Sequence, residues 1–193
     1  MARNPEPGRY VLNRRQTTRL VLIAMFAALT AAGSWFKIPL PPVPVTMQTL
    51  FVTMAGDMLD WKGAFLSQLI FLIAGLCGLP VFAGGGGPGY VLNPTFGYLL
   101  GFLAAAPIIA VLVRRSVNGK WTSLILPNIL GMAVVFIPGL LYLVLSMQYI
   151  VGTPLTLSQV LMSGLVLFLP GTVVKAVLAA WLSHTIKSRL NYA

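Results

Sequence analysis

The sequence predicts an all-α integral membrane protein with six membrane-crossing helices and both termini on the cytoplasmic side. Three observations carry this. Hydrophobic residues make up 58% of the chain and charged residues only 8%, against about a quarter charged in soluble domains. The apolar residues gather into six runs punctuated by Pro, Gly and basic residues, and the basic residues fall in alternate gaps. The length of 193 residues suits one domain, read as a flexible basic tail over 1–16 and a six-helix transmembrane domain over 17–193.

The tail is polar, with Pro5, Gly8 and charges, and is expected to be disordered or to lie on the membrane surface. The first span, 17–36, stops at Lys37, and Pro39, Pro41, Pro42 and Pro44 cannot continue a helix. No polar mature domain follows it, so it reads as a retained helix rather than a signal peptide. The second run, 46–59, is too short to cross a hydrocarbon core of about 30 Å, which makes it re-entrant or shielded. Asp60, Trp61 and Lys62 punctuate the chain before a third run, 63–79. The stretch Pro80-Val-Phe-Ala83 and the glycine tract 84–89, interrupted by Pro88, favour neither helix nor strand. A fourth span, 94–113, is closed by Arg114 and Arg115. The fifth, 121–146, contains Pro127 and Pro138 as expected kinks, and the sixth, 157–186, is expected to break near Pro170-Gly171.

Placing the N-terminus inside puts eleven of the thirteen Lys and Arg residues on the cytoplasmic side. Lys37 falls in an outer loop and Lys175 within the membrane. This satisfies the positive-inside rule, and the inverted arrangement violates it.

The inventory excludes several function classes. The net charge of +10 raises the question of nucleic acid, but the N-terminal arginines have only Tyr10 interleaved among them. They read instead as a flank that meets membrane lipids. Cys77 and His184 stand alone, and the acids are Glu6, Asp57 and Asp60. Such a set assembles no disulfide framework, no metal cluster and no cofactor site, and it leaves a membrane enzyme too few acids and bases. A Walker motif is absent, so any ATPase must be another polypeptide.

Lys175 is the leading functional candidate, because an ionisable group in an apolar segment costs at least about 2.5–3.5 kcal/mol. No acid nearby neutralises it, so a ligand carboxylate or carbonyl is the expected partner; the alternative is snorkelling to the interface. Opening of the helix at Pro170-Gly171 would let Thr172 and Lys175, at spacing i, i+3, face a cavity together. At the lip of the second helix stand Thr46, Gln48 and Thr49. Such groups either cap the helix or contact a ligand, with capping favoured for Thr46 and ligand contact for Gln48. The glycine-rich stretch is flanked by Phe82, Tyr90, Phe96 and Tyr98, as a lid would be and a plain linker would not. Small-xxx-small spacings of Ala24, Ala27, Ala28, Ala31 and Ala32 make the first span a docking face, for a partner or for a helix of the same chain.

Four motifs occur in order: Pro44-Val-Thr-Met-Gln-Thr-Leu50, Gly78-Leu-Pro-Val-Phe-Ala-Gly-Gly85, Pro94-Thr-Phe-Gly-Tyr-Leu-Leu-Gly101 and Pro170-Gly-Thr-Val-Val-Lys175. Together they resemble the BioY family, the biotin-specific substrate-binding (S) components of energy-coupling factor (ECF) transporters. The resemblance implies an S-component fold and high-affinity biotin uptake across the cell membrane. It also implies, as partners, a transmembrane coupling subunit, met by the first-helix alanines, and two ATPase subunits. The residues it points to around biotin are Gln48, Phe82, Tyr90, Asn93, Tyr98, Thr172 and Lys175, with Asn93 as a second contact to the ureido group. Where the family usually has Pro-Gly-Asp-x-x-Lys, this chain has Thr172, a weaker acceptor than a carboxylate. A solitary transporter for a biotin-like or other small anion is the alternative.

Overall fold

The computed structural model describes residues 14–116 and 120–189. Most of the predicted tail lies outside them, and residues 14–16 already belong to the first helix. The elements are α1 (Arg14–Gly33), a two-residue hairpin of β1 (Lys37–Ile38) and β2 (Val45–Thr46), then α2 (Gln48–Met58), α3 (Trp61–Leu76), α4 (Phe96–Arg115), α5 (Ile125–Tyr149), α6 (Leu157–Gly164) and α7 (Leu169–Arg189). Short 3-10 turns at Pro88–Leu92, Trp121–Leu124 and Val166–Phe168 complete the described chain.

Four stretches are long and apolar enough to cross a membrane: Arg14–Gly33, Phe96–Arg115, Trp121–Tyr149 and Leu157–Arg189, with Trp61–Leu76 a shorter apolar helix. With α2 these make the six predicted segments. On α1 the buried residues Ile23, Phe26, Ala27, Thr30 and Gly33 follow a helical stripe, which rests on α2 and α3.

The centre of the bundle is α2. It packs on α1, α4 and α7, and eight of its 11 residues are buried. At about 1.5 Å per residue it is roughly 16 Å long, half the hydrocarbon thickness. A helix that short stays at membrane depth only if protein shields it, and the three longer neighbours do so.

Three expectations need correction. The sixth segment breaks at Leu165, ahead of the 3-10 turn Val166–Phe168, not at Pro170-Gly171. Pro170 is the second residue of α7, where its missing N–H is one that the first turn leaves unbonded anyway. Thr46 does not cap α2: Met47 precedes the helix and makes no side-chain cap. Pro127 lies in the first turn of α5 and only Pro138 is interior to it, while α4 carries an interior proline at Pro107.

The glycine-rich stretch is ordered by contacts rather than by regular structure. An antiparallel bridge joins Phe82 to Gly85, and the 3-10 turn at Pro88–Leu92 follows. Gly87 has φ of 103°, a left-handed conformation that a Cβ would disfavour, and its N–H donates to the Gly75 carbonyl at 2.7 Å. The Lys37 ammonium reaches across from the hairpin to the Ala83 carbonyl. From α5, the Tyr142 hydroxyl donates to the Val91 carbonyl.

Candidate functional site

A cavity opens between α2, α4, α5, α7 and the hairpin, beneath the glycine-rich stretch. The N-terminal ends of α2, α4 and α7 and the middle of α5 supply its walls, because the bundle leaves space where α2 stops short and where α6 gives way to α7.

Its polar side comes from α2, β2 and α7. Lys175 is only 8% exposed, and its Nζ donates to the Thr46 carbonyl at 2.9 Å. Snorkelling to the interface is therefore excluded. An ammonium has three donors, and among the described residues Lys175 makes no salt bridge. Asp57 lies nine residues beyond Gln48 on α2, roughly 13 Å along the axis, so it does not serve as counter-ion. Thr46 turns its hydroxyl to the Gln48 side-chain carbonyl at 3.1 Å, which fixes the Gln48 amide. The Nε2 of Gln48 and the hydroxyl of Thr49 are then buried without a protein partner. Thr172, one turn before Lys175, completes this side. Unpaired polar groups cost free energy when buried, and here two of them, the Gln48 amide nitrogen and the Thr49 hydroxyl, converge with a cation on one cavity.

The apolar side is aromatic. Tyr98 stacks on Phe168 with ring centroids 6.2 Å apart and meets Phe136 edge-on at 6.4 Å, and Phe136 meets Phe168 at 6.4 Å. The Tyr98 hydroxyl donates to the Gly164 carbonyl at 2.9 Å, which ties the ring to the broken end of α6. Phe102, Met132 and Val135 extend the wall.

Of the seven residues expected around a ligand, Gln48, Tyr90, Tyr98, Thr172 and Lys175 line the cavity; Phe82 and Asn93 do not. Phe82 sits behind the wall, edge-on to Phe71 at 5.4 Å and 4.6 Å from the Tyr90 ring, over Gly75, where a Cβ would collide with it. Asn93 acts through its neighbour. Its Oδ1 accepts from the Thr95 N–H at 3.0 Å and from the Thr95 hydroxyl at 2.8 Å. That leaves the Thr95 oxygen to accept from the Tyr90 hydroxyl, 3.0 Å away. Thr95 and Tyr90, both lining residues, are thereby held in place.

Sequence reasoning missed Thr95, Phe136 and Phe168. An aromatic residue in an apolar span looks the same whether it faces lipid, core or ligand. The available signal was position: Phe136 and Phe168 each stand two residues before a proline, Pro138 and Pro170.

The alanine face of α1 divides. Ala27 is buried and Ala31 half-buried against the bundle, whereas Ala24 and Ala28 are exposed and Ala32 is half-buried. Spacing i, i+4, i+8 thus leaves Ala24, Ala28 and Ala32 along the outer side.

The enclosed volume is about 50 Å³, room for a few water molecules at about 10–15 Å³ each. A vitamin-sized ligand needs more, so its entry requires the walls to part. The glycine-rich stretch is the wall with the fewest helical constraints.

Comparison with known proteins agrees with this architecture. A probable biotin transporter BioY from Lysinibacillus sphaericus is 43% identical over 156 residues, 81% of this chain and 80% of its own length. The biotin transporter BioY of Rhizobium etli is 36% identical over 181 residues, covering 88% of this chain and 93% of that protein. Among solved structures, the S-component for biotin from an ECF-type ABC transporter superposes with a TM-score of 0.79 at 26% identity, over 91% of this chain and 94% of that one. The model of the BioY family matches residues 7–192, and on that extent of agreement the chain belongs to the BioY family.

Proposed function

We propose that this chain captures biotin in the cavity around Lys175 and serves biotin uptake as the substrate-binding subunit of an ECF-type ABC transporter. It is a transport subunit rather than an enzyme. The observation that carries the ligand assignment is the buried ammonium of Lys175, set beside the unpaired Gln48 amide and Thr49 hydroxyl and opposite the rings of Tyr98, Phe136 and Phe168. Biotin has matching parts: a compact apolar bicycle for the rings, a ureido group that both donates and accepts, and a carboxylate tail. Thr172, with Lys175, faces the ureido head, and Tyr90 closes the site from the glycine-rich side.

In this reading the basic ends of the helices face the cytoplasm, as the distribution of Lys and Arg favours, and the cavity opens outward. The outer alanines of α1, Ala24, Ala28 and Ala32, meet the transmembrane coupling subunit, to which the two ATPases attach; small residues allow the close approach. Phe82 and Asn93 support the site from behind rather than touching biotin.

Isothermal titration of the purified protein with biotin tests the assignment. Lys175→Ala is expected to weaken binding at least about tenfold, or ~1.4 kcal/mol, because it removes a charge-assisted donor. Thr172→Asp is expected to tighten it by providing a carboxylate acceptor. Parental affinity in Lys175→Ala would remove the basis of the proposal.

A further inference from the structure

At the opposite end of the bundle lies a second cavity of about 940 Å³. Among the described residues five cations line it: Arg14, Arg15 and Arg19 from α1, Arg114 from α4 and Lys187 from α7. Two acids share it, and both are engaged. Asp60 holds Arg19 through two hydrogen bonds of 2.9 and 3.1 Å. Asp57 is 2% exposed and accepts from the Asn128 amide at 3.2 Å, and Lys187 is close enough to interact electrostatically with both Asp57 and Arg114.

We propose that this cavity binds the headgroup of an anionic phospholipid. Setting Arg15 aside, the other four cations exceed the two acids by two on one recess, and like charges repel unless a counter-anion lies between them. Apart from Thr18 the remaining lining is apolar, with Leu22, Met58, Leu59, Ala110 and Val113. A phosphodiester on a glycerol backbone presents that same combination, an anion joined to a hydrocarbon stem, whereas a soluble phosphate or an acidic protein surface has no use for the apolar wall. Basic pockets between membrane helices hold lipid phosphates in this manner. The inference does not depend on which ligand the first cavity takes.

Native mass spectrometry of the detergent-purified protein, titrated with dihexanoyl phosphatidylglycerol, tests it. A saturable adduct is expected, preferred over dihexanoyl phosphatidylcholine. Arg114→Gln combined with Lys187→Gln should weaken it at least about tenfold, at roughly fivefold per cation, with biotin affinity unchanged. The charge-keeping pair Arg114→Lys with Lys187→Arg should retain it. Arg115→Gln and Lys62→Gln, cations outside the cavity, should leave it intact. The proposal is overturned if phosphatidylcholine binds equally, if the outside variants lose as much as the inside ones, or if inorganic phosphate competes at concentrations equal to those of the lipid. It is equally overturned if the double variant keeps the adduct and instead fails to assemble with the coupling subunit.

Discussion

Lys175 meets a backbone carbonyl where a carboxylate would ordinarily be expected, and the difference sets how the site behaves. A carboxylate would hold the ammonium in a closed pair; a neutral carbonyl leaves donors and net charge for whatever enters. That much was legible from the sequence, since an intramembrane lysine without a nearby acid admits few explanations. The aromatic partners were not legible, because hydropathy weighs Phe136 and Phe168 like any other apolar residue and only the folded arrangement brings them against Tyr98. Asp60 offers a separate test at this scale. The hydrogen bonds from Arg19 hold its carboxyl below the ordinary carboxylate range. A depressed folded-state value means stability that is present above about pH 4, the unfolded value, and is lost as pH falls through the folded one. The side chains keep 41% and 24% of their surface exposed, so solvent screening holds the contribution below about 1 kcal/mol. Melting curves between pH 7 and pH 3 should show a shallower acid decline for Asp60→Asn than for the parent.

Helix positions followed from composition because lipid imposes a length and an apolarity on every crossing segment. Boundaries followed less well. Pro170 was an attractive place for a break, but proline is tolerated in a first turn, and the chain leaves its helix at Leu165 instead. Glycines of α4 set the approach of α5: a Cβ on Gly101 would lie 2.8 Å from both the Cα and the carbonyl oxygen of Val135. Backbone cannot yield as a side-chain tip can. Gly101→Val should therefore cost about 1–3 kcal/mol, read as a lower melting temperature in detergent, whereas Gly89→Ala, with nothing within 4 Å of its Cβ, should stay within about 0.5 kcal/mol of the parent. The hairpin and the glycine-rich stretch are joined by Lys37 and Ala83. Lys37→Met should speed both biotin association and release in stopped-flow measurements, with less change in their ratio; an unchanged release rate would argue against motion of that stretch.

On the scale of the whole molecule, the two ends differ in chemistry: apolar and aromatic at the cavity around Lys175, cationic at the other. Orientation in the membrane can be tested with the cysteine the chain already has. Cys77 is exposed just beyond the end of α3, beside the glycine-rich stretch, so a membrane-impermeant maleimide should label it on intact cells. A cysteine placed at Arg115 should react only after permeabilisation, and the reverse pattern would invert the topology. The short α2 bears on the same question of sidedness. One of its ends contributes to each cavity, so along α2 the two are separated by no more than the length of an 11-residue helix, roughly 16 Å. Voltage across the bilayer would then fall largely over that interval, so an anionic ligand reaching the cavity around Lys175 would cross part of the electric field before any other subunit acts on it.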